Sequence, residues 1–399
     1  MDHAMNSNLE QEAKQAAAQG FQQAFDQVVD RSKTHCTKYE KYAGRDILPL
    51  WVADMDFRSP APIIEALQKR VDHGIFGYTL PPPDLEEVII ERLQRLYQWQ
   101  VSAEDIVFMP GVVPGLNMAC RGLLHEGEAA VTATPVYYPF LEAPKLQSRE
   151  LIHLPVETTA DGFRFPLKAL DAEARGHARL LMLCNPFNPV GRALDRDELT
   201  QIAMICERED LLICSDEIHC DLLLDGRQHI PIATISADAA SRTVTLLAPS
   251  KTFNIAGLGG SFAVIQNPVL RARFNAAGEG VLPGLSLLAY EAMLAAYRDC
   301  ADWHAGLLTY LQGNRDYLTE ALNALPGIHM HAVEATYLAW IDVSALGLNN
   351  PASFFESHGL GLSKGEQFSG EGFVRLNFGC PRSILVQAVE RFKKALQQV

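Results

Sequence analysis

Short apolar runs alternate with segments of helical periodicity between about residue 60 and about residue 290. The stretch from Asp195 to Arg208 shows the helical pattern, because Leu199, Ile202 and Ile205 recur at near-helical spacing. The predicted strands are Ile106–Met109, Ala129–Ala133, Leu180–Cys184, Leu211–Ser215, Thr243–Leu247 and Ser261–Ile265. Such alternation favours an α/β fold with a mainly parallel sheet covered by helices on both faces.

The pattern changes after residue 290. Long helical segments come first, followed by extended runs at Tyr337–Val343 and Phe373–Phe378 and a closing helix from Arg382. This order predicts a smaller α+β domain, joined to the large domain by one long helix after Leu285.

Four parts make up the predicted domain organisation. Residues 1–24 are rich in Gln, Ala and Asn, and we expect a helical or frayed extension there. We assign residues 25–60 to a segment that joins the small domain, residues 61–290 to the large domain and residues 291–399 to the small domain.

Composition limits the classes of partner. A chain of 399 residues, 48% of them hydrophobic, can build a large core. Its formal charge of -14 opposes binding to nucleic acid or anionic lipid, and no run of basic residues offsets that charge. The eight cysteines form no CxxC pair, which predicts reduced thiols. Without a membrane-length apolar stretch or a signal-peptide core, we expect a cytoplasmic protein without membrane or nucleic-acid partners.

Polar side chains follow three of the predicted strands. Asn188, Asp216 and Lys251 each come shortly after an apolar run, and ligands of open α/β sheets collect outside the carboxyl ends of strands. A carboxylate keeps a pyridinium nitrogen protonated, and a desolvated lysine amine near a cationic ring has a lowered pKa and can bond to an aldehyde. Together the three residues are the set that a pyridoxal phosphate (PLP) enzyme needs.

An ordinary structural role is open to each of these residues. Asp216, next to Glu217, could cap a helix or form a salt bridge. Asn188 lies in a turn rich in Asn, Pro and Gly, and Lys251 could be a solvated surface lysine. The three residues in combination favour the chemical interpretation.

Two further segments could contribute to the same site. Gly111–Gly115 opens a helix predicted over Leu116–Leu124, so its amides could hold a phosphate, although such a turn is usually only a turn. Tyr137 could stack on a cofactor ring and Tyr138 could reach a substrate, although an aromatic pair beside proline is more often plain packing.

The order of these motifs resembles fold-type-I PLP enzymes of aminotransferase class I and II, from about Phe25 to the C-terminus. The matching motifs are Gly111-Val-Val, Pro135-x-Tyr137, Asn185-Pro-x-Asn188-Pro-x-Gly191, Ser215-Asp216-Glu217, Ser250-Lys251 and Arg375. Within that class the chain looks like the cystathionine beta-lyase (bacterial carbon-sulfur lyase) branch. The motifs that indicate this branch are Trp51-Val-Ala-Asp-Met-Asp-Phe57, Phe76-Gly-Tyr78-Thr79, Asp216-Glu-Ile-His219 and Ala248-Pro-Ser-Lys-Thr-Phe-Asn-Ile-Ala-Gly257.

The resemblance implies a set of cofactor contacts. Lys251 would carry the covalently bound PLP, Asp216 would pair with its pyridine nitrogen, Asn188 would meet its phenolic oxygen and Tyr137 would stack on its ring. The remaining cofactor-binding residues that it implies are Val112, Val113, His219, Ser250 and Tyr78.

Substrate contacts and a partner subunit follow from the same resemblance. Arg375 would bind the substrate carboxylate with a bidentate fork, and Ala53 and Asp54 would also contact the substrate. Tyr138 would join Lys251 as a catalytic residue. Tyr78 would reach the phosphate of the neighbouring subunit, which implies a homodimer with shared active sites.

The chain departs from the wider class at two positions. Gly257-Leu-Gly259-Gly260 replaces the usual Gly-x-Arg after the lysine, so the phosphate depends on the Val112 and Val113 amides, Ser250 and Tyr78. His219 replaces the tyrosine that usually follows the aspartate three residues later. Histidine is usual in the lyase branch, so the second departure supports the narrower resemblance.

Three functions remain open on the sequence. The first is β-elimination of a thiol from L-cystathionine, L-cysteine or a related S-conjugate, giving pyruvate and ammonia. The second is an aminotransferase, which uses the same residues. The third is a lyase that also binds a transcription regulator. No metal site is predicted, because Glu217-x-His219-Cys220 lacks a second ligand cluster at a usual spacing.

Overall fold

The computed structural model describes residues 20–159 and 162–398. Residues 1–19, most of the predicted N-terminal extension, lie outside these ranges. The first described element is a helix at residues 20–26 (α1).

Fifteen strands form four sheets in the described part of the chain. They are Leu48–Pro49 (β1), Ile106–Met109 (β2), Ala129–Thr134 (β3), Glu150–Pro155 (β4), Glu157–Thr159 (β5), Gly162–Arg164 (β6), Ala178–Cys184 (β7), Leu212–Asp216 (β8), Thr243–Leu247 (β9), Ser261–Val264 (β10), His329–Met330 (β11), Leu338–Asp342 (β12), Leu360–Gly361 (β13), Ser363–Lys364 (β14) and Phe373–Asn377 (β15).

The largest sheet has seven strands in the order β2-β10-β9-β8-β7-β3-β4. Strand β10 is antiparallel to both β2 and β9, and the other neighbours are parallel. Strands β3 and β7 are mostly apolar and are buried at nearly every position, as expected where helices cover both faces of a parallel sheet. The predicted α/β fold class is confirmed, and each strand predicted for this sheet is present within two residues of its predicted ends.

After α1 the helices are Thr37–Glu40 (α2), Ala61–His73 (α3), Pro83–Tyr97 (α4), Val112–Leu123 (α5), Pro139–Leu146 (α6), Leu167–Ala174 (α7), Arg196–Arg208 (α8), Ala237–Arg242 (α9), Pro268–Gly278 (α10), Leu287–Asp299 (α11), Ala301–Asn323 (α12), Pro351–Ser357 (α13) and Arg382–Leu396 (α14). Helix α5 begins four residues before the predicted Leu116, because Pro114 lies in its first turn, where a missing N–H costs nothing. That early start matters because it brings the helix N-terminus to the end of β2.

A second core surrounds the antiparallel sheet β11-β12-β15-β14. Helices α12 and α14 contribute Leu311 and Phe392 to it. Phe25, Leu50 and Phe57 pack in the same core, so the N-terminal segment lies against the C-terminal sheet. The segment after Leu50 can therefore reach the boundary between the two cores.

The prediction of one long helix after Leu285 is wrong. The chain forms two helices, α11 and α12, with Cys300 between them in a non-helical conformation. Helix α11 packs against α3 and α4, whereas α12 contributes to the second core. The apolar faces of α11 and α12 pack against different cores, so the chain must change direction between the two helices. The break at Cys300 provides this change. No helix in the described ranges is both long and apolar enough to cross a bilayer.

Candidate active site

A cavity of about 290 Å³ lies at the carboxyl ends of the central strands. Cys184 and Asp216 end β7 and β8, and Lys251 follows β9 by four residues. The predicted site residues on its wall are Ala53, Val112, Val113, Tyr137, Asn188, Asp216, His219, Ser250 and Lys251. Residues that are distant in sequence thus converge on one space, as the topology of an open α/β sheet predicts.

The Lys251 amine is held by a backbone carbonyl. Its Nζ donates a hydrogen bond of 2.8 Å to the oxygen of Ala53. Desolvation by the cavity wall, with repulsion from the Arg375 guanidinium, lowers the pKa of Lys251 to about 8. An appreciable fraction of this amine is therefore neutral and nucleophilic near neutral pH.

Asp216 and Glu217 have different environments. The buried Asp216 carboxylate lines the cavity, and burial raises its pKa to about 7. Glu217 is fully buried and accepts hydrogen bonds from Ser215 Oγ at 2.8 Å and His229 Nε2 at 2.7 Å. Of the two acids, Asp216 is therefore the one available to a ligand, and Glu217 is part of the core.

Arg375 is linked to the cavity through Asn188. Its guanidinium is buried and donates to Asn188 Oδ1 at 2.9 Å, to the Trp51 oxygen at 2.9 Å and to Ser363 Oγ at 3.3 Å. Because Asn188 Oδ1 accepts from Arg375, its amide Nδ2 is the group left to donate into the cavity. The backbone oxygen of Asn188 also accepts from the Tyr137 N–H at 3.0 Å, which fixes the Tyr137 loop beside it.

The N-terminus of α5 forms one end of the cavity. Gly111 precedes the helix with a backbone φ of 145°, a conformation that residues other than glycine rarely adopt. The N–H groups of Val112 and Val113 belong to the first turn, where backbone donors have no partner within the helix. These donors and Ser250 lie on the same wall and suit an anionic group.

His219 is a neutral imidazole in this cavity. Burial, together with the charges of Lys251 and Arg375, lowers its pKa to about 3. Its Nδ1 atom is buried without a hydrogen-bond partner among residues 20–159 and 162–398. A buried polar atom without a partner indicates that a bound ligand forms a hydrogen bond with it.

Four predicted residues do not lie on the cavity wall, and one of them, Arg375, reaches the cavity only through its contact with Asn188. The Tyr138 side chain is half-exposed beside Tyr137, with ring centroids 4.9 Å apart. Tyr78 is fully exposed in the single chain. The Asp54 carboxylate forms a salt bridge of 2.8 Å with Arg31. The roles given to these residues by the sequence remain predictions.

Other residues of the site were not predicted. Cys184, Ile218 and Ala256 add apolar wall, and the buried Tyr337 hydroxyl donates to the Ala53 oxygen at 3.0 Å. Tyr337 begins a predicted strand, and a polar side chain at a strand end was the only sequence signal that it could belong to the site. In the described part of the chain no three His, Cys, Asp or Glu side chains are grouped closely enough to hold a metal ion.

The donor set fits a phosphorylated aromatic aldehyde. Asp216 offers a carboxylate to a ring nitrogen, Lys251 offers an amine to the aldehyde, and the α5 N-terminus offers amides to the phosphate. Tyr137 supplies an aromatic ring on the wall, and the unpaired His219 Nδ1 leaves one polar contact to be made. PLP is the cofactor with this combination of groups.

Comparison with known proteins identifies the family. The model of the family described as aminotransferase class I and II matches residues 45–392. The chain belongs to this family. The curated cystathionine beta-lyase PatB of Bacillus subtilis is 38% identical over 383 residues, which cover 93% of this chain and 99% of PatB.

Solved structures agree with this assignment. The crystal structure of OvoB has a TM-score of 0.91 at 49% sequence identity, and the match covers 93% of this chain and 98% of OvoB. Cystalysin from Treponema denticola, whose structure contains pyridoxal 5'-phosphate, has a TM-score of 0.90 at 32% identity, with 94% and 98% covered. The resemblance to fold-type-I PLP enzymes and to the cystathionine beta-lyase branch, predicted from the motifs, is confirmed.

Proposed function

We propose that this protein is a PLP-dependent carbon-sulfur β-lyase. Its substrate would be L-cystathionine or a related cysteine S-conjugate, and its products would be a thiol, pyruvate and ammonia. The observation that carries the proposal is the Lys251 amine, held in a cavity that also contains the Asp216 carboxylate. The name of PatB and the PLP in the cystalysin structure support the same activity and cofactor.

Bound PLP would supply an electron sink for the pair left on Cα when its proton departs. Asp216 would keep a proton between its carboxylate and the ring nitrogen, and the Val112 and Val113 amides with Ser250 would hold the phosphate. The Gly259 position supplies no cation to that phosphate, so its binding depends on these neutral donors.

Lys251 is the residue that would move the proton. Its pKa of about 8 lets the neutral amine accept the Cα proton and lets the ammonium return a proton later. Loss of the Cα proton is followed by cleavage of the Cβ–S bond, and the thiolate leaves with the bonding pair. Addition of water to the remaining three-carbon unit gives pyruvate and ammonia.

Arg375 would bind the α-carboxylate of the substrate. Its buried Nε–H has no hydrogen-bond partner in the described part of the chain, so the guanidinium keeps a donor for a ligand. A second donor would come from an NH group that now contacts Ser363 Oγ at 3.3 Å, the longest of its contacts. A guanidinium fixes a carboxylate in one orientation, which holds Cα close to Lys251.

An aminotransferase is the second candidate, and the family description favours it. The same Lys251, Asp216 and Arg375 would serve that reaction. The difference is the fate of the proton and of the β-substituent: an aminotransferase leaves the bond between Cβ and its substituent intact and transfers the amino group to the cofactor.

A lysine substitution tests the proposal. With L-cystathionine as substrate, we expect Lys251→Ala to lower pyruvate formation by more than about 10³-fold, since it removes both the covalent link and the proton carrier. Lys364→Ala, which removes an exposed lysine from β14, is the matched control and should retain activity. Substantial lyase activity in Lys251→Ala would contradict the assignment.

A further inference from the structure

The segment from Trp51 to Phe57 lies between the two basic residues of the site. The Ala53 oxygen accepts from Lys251 Nζ at 2.8 Å, and the Trp51 oxygen accepts from Arg375 at 2.9 Å. Lys251 follows the large sheet, whereas Arg375 lies on β15 of the small sheet. The position of this segment therefore affects the position of both basic groups.

Side chains supply most of the hydrogen bonds that hold this segment in place, and one backbone bond, from the Asp56 N–H to the Gly379 oxygen, adds to them. Residues 51–57 contain no helix or strand. Asn377 Nδ2 donates to the oxygens of Val52 at 2.5 Å and Asp54 at 2.6 Å. Asn254 Nδ2 donates to the oxygens of Met55 at 2.9 Å and Phe57 at 2.7 Å.

Two basic residues, each paired with acids of the segment, complete its support. Lys38 is fully buried, and its Nζ contacts Asp56 Oδ2 at 2.8 Å and the Asp54 oxygen at 3.2 Å. Arg31 contacts Asp56 Oδ1 at 2.6 Å and Asp54 Oδ2 at 2.8 Å. We call Arg31, Lys38, Asp54 and Asp56 the anchor network.

Burial of the Lys38 charge has a large free-energy cost, which indicates that its pairing with the segment has a role. A lysine with no exposed surface is stable only when its ammonium is paired, and here both carboxylates come from the segment that holds Lys251. Neither Lys38 nor Arg31 is on the wall of the cavity, so direct contact with a ligand does not explain them.

We propose that the anchor network positions the Ala53 carbonyl, and that this carbonyl is the acceptor that holds the free Lys251 amine during turnover. The proposal rests on the proposed function, in which that amine moves the Cα proton. Arg31, Lys38, Asp54 and Asp56 are then positioning residues and not catalytic residues.

A hydrogen bond to Ala53 gives the amine an orientation. When the neutral amine donates one N–H to the carbonyl, its lone pair points away from that oxygen and is free to accept a proton. The Tyr337 hydroxyl donates to the same oxygen at 3.0 Å and keeps it fixed from a second side. A displacement of about 1 Å at such a group can cost about 10²-fold in rate.

Asp54 also acts on Lys251 through its charge. The groups that face Lys251 are Arg375, Asp54, Asp216 and the neutral His219. Burial and Arg375 lower the pKa of Lys251, whereas the Asp54 and Asp216 carboxylates oppose that decrease. Removal of the Asp54 charge therefore favours the neutral amine and moves its titration to lower pH.

Lys38→Met tests the network, because methionine keeps most of the side-chain length and removes the charge. In the cofactor-loaded protein we expect kcat to fall about 10²-fold with a smaller change in KM. Lys393→Met is the matched control, because Lys393 forms an exposed ion pair with Glu390. It should retain the wild-type kcat.

Asp54→Asn supplies a second test that does not depend on whether Lys38→Met folds. Its side chain is partly exposed and the substitution preserves its size. The visible absorbance of the cofactor-loaded protein, titrated with pH, reports the ionisation at the Lys251 nitrogen without turnover. We expect the midpoint for Asp54→Asn to lie below that of the wild type and of Lys393→Met.

The outcomes separate the two proposals. A wild-type protein without lyase activity but with a lower titration midpoint in Asp54→Asn would remove the proposed function and keep the network. The positioning role would be overturned by two results together. The titration midpoint of Asp54→Asn would equal that of the wild type, and kcat of a folded Lys38→Met or Asp54→Asn variant would lie within twofold of the wild type.

Discussion

At the residue scale, the Lys251 amine differs from a surface lysine in its titration. The ordinary lysine value is 10.5, and desolvation with repulsion from Arg375 lowers the pKa of Lys251 to about 8. The neutral form is therefore gained as the pH rises through about 8, more than two pH units before an ordinary lysine. The amine reacts with aldehydes only in this form.

The lowered pKa of Lys251 gives a prediction for the cofactor-free protein. The rate at which Lys251 is modified by an amine-directed reagent should rise up to about pH 8 and level off above it. Exposed Lys393, whose pKa is raised by its contact with Glu390, should still increase in reactivity above pH 10. Peptide mass spectrometry after timed labelling measures both rates in one sample. A Lys251 rate that increases in parallel with that of Lys393 would contradict the lowered pKa.

Glu217 has a structural role that its neighbour Asp216 does not share. Both Glu217 oxygens are buried and accept hydrogen bonds, one of them from His229. His229→Leu would leave a buried carboxylate without its main partner, so we expect a loss of about 3–5 kcal/mol in the free energy of unfolding.

Urea denaturation of the cofactor-free protein measures this loss, with His125→Leu as the control at an exposed histidine. If the two variants unfold with the same free energy, Glu217 does not need His229 and the structural assignment fails.

At the scale of elements, helix α5 must lie directly on the sheet to bring its N-terminus to the cavity. A Cβ atom at Gly115 would be 2.8 Å from Met109 Sδ and 2.9 Å from Leu246 Cδ2, closer than real contacts allow. Glycine at this position therefore permits the close approach of the helix to β2 and β9.

Gly115→Val should displace the helix or strain the core, with a loss of about 1–3 kcal/mol in the free energy of unfolding. Because the Val112 and Val113 amides move with the helix, PLP should also dissociate more readily. Gly284→Ala is the control, since no atom lies within 4 Å of its added Cβ. Thermal unfolding with and without PLP measures both effects, and equal cofactor affinity in the two variants would argue against a role for α5 in phosphate binding.

The sequence predicted the elements of the large sheet well for a physical reason. Strands of a buried sheet are rich in apolar and β-branched residues, so the predicted ends of Ile106–Met109 and Thr243–Leu247 match the observed ends. The break between α11 and α12 at Cys300 was not predictable, because it depends on which core each helix meets. An apolar helix face does not reveal its partner.

The site shows the same contrast. Asn188, Asp216 and Lys251 were predictable because each follows a strand, and strand ends converge in parallel sheets. The pairing of Lys38, in α2, with Asp56, in an irregular segment, joins residues 18 positions apart, and no periodicity connects them.

At the scale of the whole molecule, an exposed apolar segment supports the predicted homodimer. Ile75, Phe76, Tyr78 and Leu80 have large exposed fractions in the single chain. Contiguous apolar side chains on a surface often mark an interface. The homodimer with shared sites remains a prediction, in which Tyr78 of one chain contacts the phosphate bound by the other.

Mixing two inactive variants tests whether the sites are shared. A hybrid dimer of Lys251→Ala and Tyr78→Ala chains would contain one site with both native residues if Tyr78 acts across the interface. Refolding an equal mixture should then restore about a quarter of wild-type activity, because half of the dimers are hybrids with one intact site. Activity that stays at the level of the separate variants would mean that Tyr78 does not complete the partner's site.

The most direct test of the central claim follows the cofactor and the product in one sample. The purified protein, loaded with PLP, is mixed with L-cystathionine while its visible absorbance and the pyruvate concentration are recorded. A carbon-sulfur β-lyase should release pyruvate over many turnovers while the cofactor stays in its aldehyde form. Conversion of the cofactor to pyridoxamine phosphate without pyruvate would contradict the lyase assignment and make the protein an aminotransferase with the same site.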